Sequence, residues 1–146
     1  YYQRLLQQDT MLINTEKALE LSQKNNYKQG ELEALVNLAT LPNLERLQIV
    51  DNRLITGEGF SAFKDDSALK SIFLRGVEKL SPAGLSNLPR FQNLESLTID
   101  IKSLSHEHIK AMAGMPKVSY LSLDDLENID ENILERFYNS LPEYEH

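Results

Sequence analysis

The sequence predicts an α/β solenoid with a parallel sheet on its concave side, helices on its convex side and a helical cap at its N-terminus. Three observations predict it. A phrase Leu-x-x-Leu-x-Ile/Leu recurs as Leu44-Leu47-Ile49, Leu69-Ile72-Leu74, Leu94-Leu97-Ile99 and Val118-Leu121-Leu123, with starts 25, 25 and 24 residues apart. Each phrase is followed by an aliphatic residue (Ile55, Leu80, Leu104, Ile129) and then by a residue of helix-capping type (Thr56, Ser81, Ser105, Asp130). Beyond each cap, apolar residues fall three apart at Phe60 and Phe63, Leu85 and Leu88, Ile109 and Met112, Leu134 and Phe137. That spacing marks one buried stripe on a helix.

Each unit therefore reads as a short strand, a turn and a short returning helix, with strands centred near 46–50, 71–75, 96–100 and 120–124. Pro82 falls at the first helical position after Ser81, where a missing N–H costs nothing. Pro89 and Pro116 are expected to close the helical halves of their units. No unit can bury its stripe alone, so neighbours must stack, with parallel strands about 4.8 Å apart forming a continuous sheet. The array spans 41–146 as four units.

Residues 1–40 form the expected helical cap. Leu35 and Leu38 stand 25 residues before Phe60 and Phe63, so 31–40 reads as the helical half of a unit whose strand is missing. A helix is expected after Asn14-Thr15, a further apolar face at Tyr2, Leu5 and Leu6, and a linker over 24–30. At the other end Leu141-Pro142 repeats the Leu41-Pro42 junction and Tyr144 occupies the place of Leu44. Either the array continues there, or Tyr138, Tyr144 and the acidic residues make a polar-edged cap.

Over residues 44–142 the phrase and its columns resemble the leucine-rich-repeat superfamily. The run Leu-Ser-Pro-Ala-Gly-Leu-Ser-Asn-Leu-Pro at 80–89 is similar to bacterial repeats of about 24 residues, some of which occur in effector proteins. The consensus asparagine after the strand is present only as Asn52, with Val77, Lys102 and Leu126 in roughly equivalent places. The resemblance implies a protein-interaction module. Its alternative is the targeting domain of a larger multi-domain enzyme or secreted bacterial effector.

Charge narrows the partner. Residues 1–117 carry 14 acids and 14 bases, whereas 118–146 carry 8 acids and 1 base, so the whole net charge of -7 lies at the C-terminal end. Nucleic acid requires a basic footprint, so DNA and RNA are not expected partners; a basic protein surface is. The chain has no cysteine, which is compatible with a reducing compartment such as a cytosol, including a host cytosol. No apolar run approaches the roughly 20 residues of a membrane span. Neither enzyme nor cofactor chemistry is expected. His106 and His108 are two apart, about 200° around a helix, and read as surface residues of a first turn. Gly57-Glu58-Gly59 lacks the remainder of a phosphate loop, and no Ser, His and Asp set has a nucleophile context.

Alternation along each strand sends the Leu and Ile positions inward and leaves three rows on the concave face. The rows run Arg46, Ser71, Ser96, Tyr120; Gln48, Phe73, Thr98, Ser122; and Val50, Arg75, Asp100, Asp124. The expected partner-binding residues are Arg46, Gln48, Val50, Phe73, Arg75, Thr98, Asp100, Tyr120, Ser122 and Asp124. Phe73 has the composition of a hot spot, an aromatic exposed among polar neighbours, and Tyr120 is a second anchor. Arg75 is placed to pair with Asp100. Asp100, Asp124, Asp125 and Glu127 supply calcium-type oxygens but lack loop spacing, so no metal is assigned.

Overall fold

The computed structural model describes residues 12–14, 35, 38–53, 55–102 and 104–145. Its strands are β1 (Leu12–Asn14), β2 (Arg46–Val50), β3 (Ser71–Arg75), β4 (Ser96–Asp100) and β5 (Tyr120–Leu123). All pairings are parallel and the strands lie in chain order, so the four repeat strands form one sheet with β1 added at its edge. The sheet does not close into a barrel. The opposite layer holds a 3-10 helix, Glu58–Ala62, then α1 (Pro82–Leu85) with a 3-10 turn at Leu88–Arg90, α2 (His106–Ala111) and α3 (Glu131–Asn139).

Period-two alternation places the core. Leu47, Ile49, Ile72, Leu74, Leu97 and Ile99 are at most 1% exposed, and they share one apolar cluster with Phe60, Leu85, Ile109 and Phe137 from the helical layer. Removing each such side chain from water is worth about 1.5–3 kcal/mol. Phe60, Phe63 and Phe91 meet with centroids 6.0–6.5 Å apart, the two pairs involving Phe91 edge to face. Aromatic quadrupoles favour that arrangement.

The helical halves differ among units. Ser81, Ser105 and Asp130 are N-caps as expected; Ser81 Oγ accepts from the Gly84 amide at 3.0 Å and Asp130 Oδ1 from the Asn132 amide at 2.9 Å. The Asn132 amide bond is also the main reason the Asp130 carboxyl lies below its ordinary pKa, so this cap is complete at neutral pH and weakens as the pH falls through that lowered pKa. Thr56 departs from expectation. The N-cap of the first unit is Gly57, in a left-handed conformation at φ 85, and only a 3-10 helix follows, with helix-weakening Gly59 inside it. Pro89 sits within its 3-10 turn rather than after it.

One strand was not expected. β1 lies inside the segment assigned to a helical cap, and Leu12 stands beside Arg46 in register, 34 residues away rather than 25. It supplies the strand position missing from the unit of Leu35 and Leu38, which are buried as expected at 0% and 1%. The longer separation hid β1 from a search at fixed period. The expected helices before and after it lie outside the described residues.

Where the strands end, the chain turns through a left-handed residue: Asp51 at φ 51, Gly76 at φ 64 and Asp125 at φ 58. Each precedes the residue of a column, Asn52, Val77 and Leu126, three before the aliphatics Ile55, Leu80 and Ile129. In the third unit the residue three before Leu104 is Ile101, not the expected Lys102. Ile101 is 2% exposed and Lys102 is exposed. The 24-residue spacing thus reflects loss of one turn residue after Asp100. Asn52, the column's polar member, is 3% exposed and its Oδ1 accepts from the Ile55 amide at 3.2 Å.

Polar contacts between units recur at the same period. Lys70 pairs with Glu45 at 3.1 Å and Arg90 with Asp65 at 2.6 Å, each across 25 residues; Ser81 Oγ donates to the Thr56 carbonyl at 3.1 Å across the same separation. The ion pairs are exposed and worth about 0–1 kcal/mol each. Tighter control comes from the column Gly59, Gly84, His108, Ile133, which faces back toward the preceding unit. A Cβ on Gly84 would lie 2.7 Å from Gly57 Cα and closer still to the Thr56 carbonyl oxygen, both backbone atoms that cannot swing aside. Gly84→Ala is therefore expected to cost about 1–3 kcal/mol in urea unfolding. A loss no larger than the usual surface change would show that these units do not pack this closely.

Candidate functional site

The sheet face away from the core carries the three expected rows. Arg46, Ser71, Ser96 and Tyr120 stand side by side, as do Gln48, Phe73, Thr98 and Ser122, and Val50, Arg75 and Asp100. Asp124 follows β5, its amide donating to the Ile99 carbonyl at 3.1 Å, and continues the third row. No member of the three rows is buried, whereas the residues between them on β2, β3 and β4 are core. β1 adds the register positions of Leu12 and Asn14 to the first and second rows.

Tyr120, rather than Phe73, is the prominent aromatic. Its side chain is 60% exposed at the sheet's last strand, while Phe73 is half-buried among its strand neighbours. Charge changes sign across the face: Arg46 and Arg75 belong to β2 and β3, Asp100 and Asp124 to β4 and the end of β5. Arg75 and Asp100 are register partners, yet no ion pair joins them among the described residues. No group of three or more His, Asp or Glu side chains is placed to hold a metal among the described residues. No described helix is long and apolar enough to cross a membrane.

Of the two histidines expected at the surface, His106 is there and His108 is not. His106 is exposed and its Nε2 accepts from the Asp130 amide at 3.0 Å, tying the start of α2 to the start of α3. His108 is 8% exposed. Its Nε2 lies 2.8 Å from the Leu80 carbonyl oxygen, which can only accept, so Nε2 carries the proton. Its Nδ1 accepts from the Ser105 amide at 3.1 Å and lies 2.7 Å from Ser105 Oγ, completing a capping box with histidine in the place usually held by glutamate. The imidazole thus fills the inter-unit space that Gly84 leaves to backbone and Gly59 to the Leu35 side chain. A readable signal existed, since His108 falls in the column of those two glycines and Ile133.

No protein-family model, curated relative or solved structure matches the chain.

Because His108 serves three polar groups in the helical layer, His108→Ala is expected to destabilise by about 1–3 kcal/mol. The sheet's open face should be unchanged, with the same Tyr120 chemical shifts by NMR. Urea unfolding that matches the parent would remove His108 from the inter-unit contact.

Proposed function

We propose that this chain is a non-catalytic protein-interaction module of leucine-rich-repeat type, its units stacked as a solenoid whose sheet lines the concave side and docks a partner protein. The observation that carries this reading is the open sheet face: three rows in register, none buried, combining aromatic anchors with a charge gradient on a scaffold held by a single core. Side chains on a rigid sheet lose little freedom on binding, and Tyr120 offers a large apolar body with a polar tip. Phe73 and Tyr120 anchor the partner; Gln48, Thr98 and Ser122 provide hydrogen-bonding groups beside them. Arg46 and Arg75 meet acidic groups of the partner, and Asp100 and Asp124 meet basic ones. Val50 adds apolar contact at the strand end.

The repeat-type assignment rests on the period, the parallel register and the buried Leu and Ile columns. Fold alone names no ligand, so the partner's identity is a matter for capture. Wild type and a Phe73→Ala/Tyr120→Ala double variant, both checked for an unchanged circular dichroism melt, should be compared in pull-downs from source-cell lysate with mass spectrometry. Loss of aromatic anchors is expected to weaken the true partner by about 2 kcal/mol or more, roughly 30-fold. A partner retained equally by both proteins would place binding off this face.

A further inference from the structure

The open sheet face carries its charges in a fixed order across the strands. Arg46 on β2 and Arg75 on β3 form a basic half, Asp100 on β4 and Asp124 after β5 an acidic one. None of the four belongs to an ion pair among the described residues, not even Arg75 and Asp100, which are register partners. At the strand starts Lys70 and Glu45 neutralise each other, and exposed Glu95, directly before β4, adds to the acidic half. Between the charges the middle row holds half-buried Phe73 and no charged residue. A ligand of one charge sign would meet repulsion over half of this face. A ligand with acids at one end and bases at the other is matched throughout.

Spacing selects the ligand's backbone. Neighbouring strands lie about 4.8 Å apart, one turn of α-helix rises about 5.4 Å, and alternate residues of an extended chain stand about 6.7 Å apart. Across the three intervals from β2 to β5, a helix laid over the strands drifts by about 2 Å and an extended chain by about 6 Å, more than a whole strand. The first and third rows are separated along a strand by about 13 Å, close to the roughly 10–12 Å diameter of a helix with its side chains. A helix seated on the middle row therefore reaches both outer rows with its flanks. On the reading of this face as the docking surface, we propose that the docked element is an amphipathic helix of about three to four turns, laid across the strands, with acidic residues over β2 and β3 and basic residues over β4 and β5. Its apolar seam covers Phe73, and its basic end meets Asp100, Asp124 and the exposed ring of Tyr120, a cation–π partner.

Two end-capped peptides of about 14 residues, titrated into the isotope-labelled full chain with amide shifts followed by NMR, test this. Both carry leucines on one helical face and equal numbers of glutamate and lysine. In one the glutamates fill one half and the lysines the other; in the second they alternate. The segregated peptide is expected to bind about tenfold more tightly and to move the amides of Gln48, Phe73, Thr98 and Ser122. A spin label on its glutamate end should broaden the Arg46 and Arg75 amides more than those of Asp100 and Asp124. In Arg46→Glu/Arg75→Glu/Asp100→Lys/Asp124→Lys, verified as folded, the stronger broadening should cross to β4 and β5. The helix is overturned as occupant if neither peptide binds, if both bind equally, or if the broadening stays over β2 and β3 in the charge-reversed variant. It is equally overturned if a central proline leaves the affinity of the segregated peptide unchanged, or if the same amides respond to protein concentration alone, as a second copy on this face would make them. Any of these leaves the docking reading standing as long as Phe73→Ala/Tyr120→Ala still releases the captured partner. Peptide shifts off this face together with a retained partner would sink both.

Discussion

Register between parallel strands is the constraint on which the structure depends. Side chains alternate with a period of two, so each returning strand must begin in the same phase or its Leu and Ile pair faces water. The pairings Leu47 with Ile72, Ile72 with Leu97 and Leu97 with Leu121 show that the phase is kept through the repeat strands. Both the core and the open face follow from it. The same alternation that buries Ile49, Leu74 and Ile99 presents Gln48, Phe73 and Thr98 in a row.

The third unit shows which part of the period is free to vary. Its turn is one residue shorter, without the left-handed position held by Asp51, Gly76 and Asp125, yet Ile101 still fills the inner column. A residue can leave the turn because nothing there alternates. The returning layer is held more tightly. Gly84 touches the backbone of the unit before it, while His108, in the same column, reaches across to the Leu80 carbonyl. One column therefore sets the spacing between units, by close backbone approach in one case and by a bonded imidazole in another.

Much of this was legible in the sequence because the repeat multiplies each weak signal. The four repeat strands, the caps at Ser81, Ser105 and Asp130, the inner columns and the three outer rows all lie where the pattern places them. The misses have physical causes. β1 stands 34 residues from its partner, outside the period. The position equivalent to Asn52 in the third unit is Ile101 rather than Lys102, because a fixed offset from the strand does not register the residue missing from that turn. His108 looked like a surface residue because burial within a helix's first turn depends on what the neighbouring unit leaves open. The relative exposure of Phe73 and Tyr120 depends on strand position, central for one and at the edge for the other, which composition does not report.

Two single-residue insertions test the central role of register most directly, each followed by urea unfolding. A glycine between Asp100 and Ile101 restores the turn length of the other units and leaves every strand in phase. It is expected to keep one cooperative transition and to change stability by about 1 kcal/mol or less. A glycine between Leu97 and Thr98 turns Thr98 inward and Ile99 outward, and should cost at least about 3 kcal/mol or abolish the cooperative transition. Equal tolerance of the two insertions, or greater damage from the one in the turn, would contradict the account.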